Sequence, residues 1–478
     1  MLSILGNPRA ACDGVSRRQI LQAGGAGLLG ISLPKFLRAE ASEAVLPARA
    51  KSVIFLFLFG GPSQLETFDL KPQAPADIRG PFQPIASRTP GLHISEHLPR
   101  TAAITDKVCV LKTMTHPYND HSGAGHYIQT GHRWQIPIGG GFATTPNDWP
   151  SMGSVTEYVS QRTSTGARDL PSYVVLPNWL GGLQEKGQYR RPGEYGGWLG
   201  RGYDPLTTNI QKKDLDDNPY WRDCSDDELK YEIQGLVNPA ALTMDRLQTR
   251  KALLSQFDGS RQTLDASKAL NTYDRFQQRA LDLVASEKTR TALDIQQEAA
   301  PLRDRYGRHL YGQSCLMARR LVEAGVRFVT VHYDCVDGYS WDSHRSSHYL
   351  QNHLIPTFDQ AYSALISDLS DRGLLDETLV VAMGEMGRTP KPNKTWGRGH
   401  WSTLFPAVLA GAGIRGGIVY GETDEDAGHP IDKATSPEDL AKTIYWALGI
   451  DPDLRIKNAE GRPTDIVDGG RPVVELFG

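Results

Sequence analysis

The chain has 478 residues, 39% of them hydrophobic and 8% aromatic, which is enough for a large core and too apolar for a disordered chain. Its 52 basic and 55 acidic residues leave a net charge of −3, so the composition carries no electrostatic footprint for nucleic acid. With 48 glycines and 30 prolines but no G-X-Y period and no fixed repeat, collagen and solenoid architectures are excluded and a loop-rich α/β protein is expected.

The first 41 residues read as a targeting segment. Arg17-Arg18 precedes a weakly apolar, Gly/Ala-rich run from Ile20 to Leu33, and Ala39-Glu40-Ala41 offers a small-residue cleavage pattern. The run is too short to span a bilayer. The expectation is a twin-arginine signal over 1–41 and a mature chain, 42–478, that works in the periplasm or outside the cell as one domain with no transmembrane helix.

Lys51 to Phe59 is a continuous apolar run closed by Gly60-Gly61-Pro62, the pattern of a strand buried on both faces. Arg100 to Asp106 is predicted as a helix and Val108 to Leu111 as a second strand. Residues 132–220 hold little periodicity and are expected to form long ordered loops with short strands such as Tyr173–Leu176. Their aromatic residues (Trp134, Trp149, Trp179, Tyr189, Trp198, Tyr203, Tyr220, Trp221) are either loop packing or a sugar-stacking surface. Residues 226–323 are helical in composition, with an amphipathic insert from Arg246 to Ile295.

Leu316 to Ala324 then ends at Gly325 and passes into the strand Val326–His332. A helix from Tyr349 to Asp371, a strand Thr378–Met383, an apolar segment Thr403–Ala410 and a terminal helix Leu440–Leu448 follow. Alternating buried strands and helices predict a central, mostly parallel sheet flanked by helices. The five cysteines (Cys12, Cys109, Cys224, Cys315, Cys335) match no zinc pattern, and at most one disulfide is expected.

In parallel sheets ligands bind beyond the carboxyl ends of the strands. Five polar clusters fall there: Gly60 to Asp69, His116 to His126, Trp341 to His348, Gly384 to Thr389 and Gly397 to Trp401. Imidazole with carboxylate suits zinc, manganese or iron; carboxylate with carbonyl suits calcium or magnesium. Arg388 and Arg398 either clamp an anion or pair with Glu385 or another acid. No P-loop and no nucleophile elbow is present.

These motifs resemble the exported bacterial family known as domain of unknown function 1501. The residues that carry the resemblance are Phe59-Gly60-Gly61-Pro62-Ser63 through Lys71-Pro72, Ile94 to Pro99, Trp341-Asp342-Ser343-His344, Gly384 to Pro390, and Gly397-Arg398-Gly399-His400-Trp401. More distantly the layout is similar to the alkaline phosphatase and sulfatase superfamily. That resemblance implies a metal-assisted site on a central sheet, with the nucleophile position ahead of Thr130-Gly131 falling at His121, next to Ser122; Ser122 or a metal-bound water is then the nucleophile, and His121 a general base or ligand. It also implies Asp342, His344, Glu385 and His400 as metal ligands and Arg388 as the group that holds the anion. The sequence departs from the superfamily at Met386, which cannot replace a hard ligand, and at Gln64 and Glu66, where relatives more often show His and Asp. One metal, zinc or calcium, or none, is therefore expected. The implied activity is hydrolysis of sulfate or phosphate esters of a small molecule or glycan; the alternative is a non-catalytic member that binds an anionic glycan or a cell-surface partner.

Overall fold

The computed structural model describes residues 46–135, 143–163, 170–183, 189–214, 216–233, 286–334 and 340–478. The signal segment, most of the expected helical insert, Cys12 and Cys335 lie outside these residues.

Eight strands form the central sheet: β1 (Ser52–Leu58), β2 (Val108–Met114), β3 (Tyr173–Leu176), β4 (Leu206–Thr207), β5 (Phe328–Tyr333), β6 (Thr378–Met383), β7 (Phe405–Ala410) and β8 (Ile418–Tyr420). Their order is β8-β2-β7-β6-β1-β5-β3-β4, and only β7 runs against the rest. The mostly parallel sheet is thus as expected, with the segment near Thr403–Ala410 supplying the reversed strand.

Every residue of β1 is buried, and its side chains alternate between two cores. Ile54, Leu56 and Leu58 enter one core, together with Leu316, Leu321, Phe358 and Leu365 of the helices Leu310–Glu323 and Ile355–Asp371. Val53, Phe55 and Phe57 enter the other, with residues of Met152–Thr163 and Pro437–Ala447. Burial on both faces is why these strands read as unbroken apolar runs.

Some expectations are corrected. The stretch from Arg100 to Asp106 is two short turns, Pro99–Ala102 and Thr105–Lys107, rather than one helix. The region 132–220, expected to be loops and short strands, contains the helix Met152–Thr163. Met152, Val155 and Val159 supply its apolar stripe, but Gly153 and four Ser/Thr residues weaken its local propensity. Residues 226–233 are turn and extended backbone, whereas Glu287–Leu293 and Ala300–Tyr306 are helical. Several of the loop aromatics pack internally: Trp149 stacks on His132 at 3.7 Å, Trp221 on His353 at 4.2 Å, and Tyr220 is fully buried. Cys109, Cys224 and Cys315 are buried free thiols. Among the described residues no helix is long and apolar enough to cross a membrane.

His309 caps the helix Leu310–Glu323, its Nδ1 accepting from the Gly312 N–H at 3.1 Å. Burial pushes its pKa down to about 4. The unfolded chain, titrating near 6.5, takes up the proton first, so stability present above pH 6.5 is lost as the pH falls toward 4. For this residue the loss between pH 7 and pH 5 is about 2 kcal/mol. His309→Asn keeps a capping acceptor without the titration, so its urea midpoint should fall less between pH 7 and pH 5 than that of the parent. An equal fall would contradict the assignment.

Candidate metal centre

β1 pairs with β5 and β6 so that Phe57 lies level with both His332 and Met383. The loops that follow these three strands therefore leave the sheet at one height. Gly60, at φ 113°, stands two residues past β1, and a Cβ there would lie 2.5 Å from the Asp342 amide nitrogen. Only glycine lets these loops close to this distance.

The Gly60 N–H donates to both carboxylate oxygens of Glu385, at 2.9 and 3.1 Å. Glu385 in turn accepts at Oε1 from His121 Nδ1, 2.5 Å away. His121 is the first residue of the helix His121–Thr130, whose N-cap Asp120 accepts from the Gly123 N–H and which closes at Gly131. On its other side, His121 Nε2 lies 3.2 Å from Asp342 Oδ2.

Asp342 Oδ1 meets three further groups: Arg388 Nη2 at 2.5 Å, His344 Nε2 at 3.0 Å and His400 Nε2 at 3.2 Å. The two imidazoles are 2.8 Å apart, Nε2 to Nε2. His400 arrives on a hairpin in which His400–Trp401 pairs with Gly387–Arg388. Ligand atoms of His121, Asp342 and His400 all lie within 4.8 Å of one another.

The hydrogen-bond partners fix where the lone pairs of this cluster point. His400 Nδ1 lies 2.7 Å from the Asn119 carbonyl. A carbonyl only accepts, so Nδ1 carries the hydrogen and the neutral ring presents a lone pair at Nε2. That lone pair faces the Asp342 carboxylate and a second imidazole nitrogen. His121 likewise commits Nδ1 to Glu385, while its buried Nε2 has no well-directed hydrogen bond among the described residues. These acceptors repel one another unless a hydrogen, such as one on His344 Nε2, or a cation sits among them. Imidazoles whose far nitrogens are tied to a carboxylate and a carbonyl are the arrangement that orients metal-binding histidines. The residues present thus fit a divalent cation held by His121, Asp342 and His400, with His344 at the rim.

Without metal, a proton answers the same need at His121. Burial opposes its charge, but Asp342 and Glu385 outweigh burial and lift its pKa to about 9. For Asp342, burial favours the neutral acid, but His121, His400 and Arg388 hold it far below the usual carboxylate range. Burial lowers the His344 pKa.

The structure brings His121, Asp342, His344, Glu385, Arg388 and His400 together, but two of them stand differently from expectation. Glu385 was expected either to bind metal or to pair with Arg388; it holds His121 and the Gly60 N–H instead. Arg388, expected to grip an anion, is fully buried, and four of its five N–H groups are taken. Its guanidinium donates to Gly61 O at 3.0 Å, Arg398 O at 3.2 Å, Gly60 O and Asp342. Arg398 is likewise structural, paired with Glu66 at 2.9 Å with both side chains buried. Gln64 locks Arg388 in place, donating to its carbonyl at 2.8 Å and accepting from its N–H at 3.0 Å. The unusual Gln64 and Glu66 thus support the two arginines.

Ser122, second in the helix, is 2% exposed. Sequence reasoning did not single out Asn119, which positions His400 by its carbonyl and accepts from the Ser402 N–H at 2.8 Å through its side chain. Its place inside the cluster His116 to His126 was the available signal.

The chain matches the family described as protein of unknown function (DUF1501) over residues 50–477, and belongs to it. No curated protein matches it. Among solved structures it is similar to the sulfatase PsFucS1 from Pseudoalteromonas sp., at 13% identity, covering 88% of this chain and 72% of that one with a TM-score of 0.38. It is also similar to the phosphonate monoester hydrolase SpPMH from Silicibacter pomeroyi, at 13% identity, 89% and 76% coverage and a TM-score of 0.34. A protein in the alkaline phosphatase superfamily from Vibrio parahaemolyticus gives 10% identity, 87% and 74% coverage and a TM-score of 0.34. At such scores these likenesses carry no weight in the reading of the site, which rests on its residues.

Glu385→Gln tests the role of the buried carboxylate. The amide turns a donor toward the Gly60 N–H and weakens the hold on His121. Metal affinity should fall roughly 10–100-fold, and the unfolding free energy by about 1–3 kcal/mol. Unchanged metal affinity in a competition titration would refute the positioning role.

Proposed function

We propose that this protein is a metal-dependent hydrolase of phosphate or sulfate esters, exported by the twin-arginine route. The observation that carries the proposal is the set of imidazole lone pairs converging on Asp342 at the carboxyl ends of the sheet. Two imidazoles and one carboxylate, with a third imidazole at the rim, favour zinc over calcium, whose sites are built from oxygen. When bound, such an ion supplies Lewis-acid stabilisation of the ester oxygens.

The chain's own residues have separate tasks in this reading. Glu385 and the Asn119 carbonyl fix the rings of His121 and His400. Arg388 neutralises part of the Asp342 charge and holds the carboxylate in place. His344 has a side chain 46% exposed and a lowered pKa, so it is neutral near pH 7 and able to take a proton from an attacking water. Ser122 is assigned no attack, because its residue is buried.

The burial of Arg388, with four of its five N–H groups taken within the protein, is what favours the second reading, a non-catalytic member of the fold that binds an anionic glycan or a cell-surface partner.

The mature protein should purify with about one zinc-like ion per chain, and a chelator should abolish hydrolysis of an aryl phosphate or aryl sulfate until zinc is restored. His400→Ala should lose both metal and turnover. Metal retained without cleavage of either ester would favour the binding reading, and absence of metal at every zinc concentration tried would reject the centre. For export, replacing Arg17 and Arg18 together by lysine should leave the precursor in the cytoplasm on fractionation; normal export of that variant would overturn the route.

A further inference from the structure

With Arg388 fully buried and four of its five N–H groups held by backbone carbonyls and Asp342, another group is better placed to receive an anionic substrate. Arg191 has the properties required. It is only 9% exposed, yet it makes no ion pair and no hydrogen bond among the described residues, and its Nε is buried without a partner. Its guanidinium carbon lies 4.5 Å from the centre of the Phe59 ring and 4.8 Å from that of Tyr189. Contact with ring faces holds a guanidinium by cation–π attraction and leaves its in-plane donors unused. A buried cation without a carboxylate is costly, and a bound anion removes that cost.

The position is equally specific. Phe59 follows β1 directly, and its ring centre is 5.2 Å from that of His121. One aromatic ring therefore neighbours both Arg191 and the metal centre. The segment that carries Arg191 also lies against the helix His121–Thr130: a Cβ at Gly193, φ 111°, would approach Gly125 O and His126 Cα at 2.9 Å. Arg191 is thereby tied to the element that carries His121.

We propose that Arg191 is the anion-binding residue of this site, receiving an oxygen of the substrate's phosphate or sulfate, or of a second anionic group next to it. The inference rests on the reading of the site as an ester hydrolase for the word substrate, but not for the anion site itself. It narrows the substrate class to esters whose anionic oxygens reach Arg191 on the Phe59 side of the metal centre. A planar fork of donors matches phosphate and sulfate better than a point charge does.

The test is calorimetric titration of the mature, metal-loaded protein with inorganic phosphate and, separately, inorganic sulfate. The parent should bind at least one of them. Arg191→Met should weaken that binding at least tenfold with metal content and thermal midpoint unchanged, and Arg191→Lys, which keeps the charge but not the fork, should fall between the two. If the protein cleaves esters, Arg191→Met should raise KM more than it lowers kcat. Equal anion affinity in the parent and both variants, or no binding of either anion by the parent, would overturn the proposal. Arg191-dependent binding in a protein that holds no metal would uphold the anion site and defeat the hydrolase reading. Metal-dependent cleavage with KM unaltered in Arg191→Met would do the reverse.

Discussion

The arrangement of the site hangs on one residue, Gly60, two positions past the central buried strand β1. Its N–H holds both oxygens of Glu385, its carbonyl accepts from Arg388, and its missing Cβ leaves room for the backbone of Asp342. Three loops from three strands are pinned to it. The pairing of β1 with both β5 and β6 brings those loops to the same level; the glycine then allows them to touch. A side chain of any size at this position would push the carboxylate of Asp342 away from the imidazoles it faces.

Charge compensation explains most of what surrounds that turn. Asp342 gathers one arginine and three imidazoles, while Glu385 takes the far side of His121. Fixing both His121 and His400 through their Nδ1 atoms aims their Nε2 atoms at Asp342, which is favourable only with a proton or a metal ion between them. A few residues away the same principle is used for stability alone. Arg398 and Glu66 form a buried pair, and three further guanidinium hydrogens go to the carbonyls of Thr389, Pro390 and Ile78. Chemically similar residues in one sequence cluster therefore serve opposite ends: Arg398 closes the hairpin, Arg388 sets the charge of the site, and Arg191, far away in sequence, is left with donors to spare.

Much of the fold was legible in the sequence because burial on both faces leaves an unmistakable trace: runs such as Ser52–Leu58 and Thr378–Met383 hold no polar alternation, and a glycine follows each within two residues. The helix Met152–Thr163 left a weaker trace, since its buried face is built partly from Gly, Ser and Thr packed close to the sheet. The reversal of β7 left none, because strand direction depends on where the chain re-enters the sheet and not on the residues within the strand. For the site, the sequence by itself determined the inventory: His121, Asp342, His344, Glu385, Arg388 and His400, each just beyond a strand or on the hairpin that follows one. Only the tertiary structure decided the partners. Glu385 met His121 instead of Arg388, Arg388 turned inward to the carbonyls of Gly60 and Gly61, and Arg191 came to rest against Phe59. The physical reason is that a hydrogen bond or ion pair depends on the distance and direction between two atoms. Composition and spacing along the chain reveal which groups are available, and neither records which of them a folded backbone will bring within 3 Å.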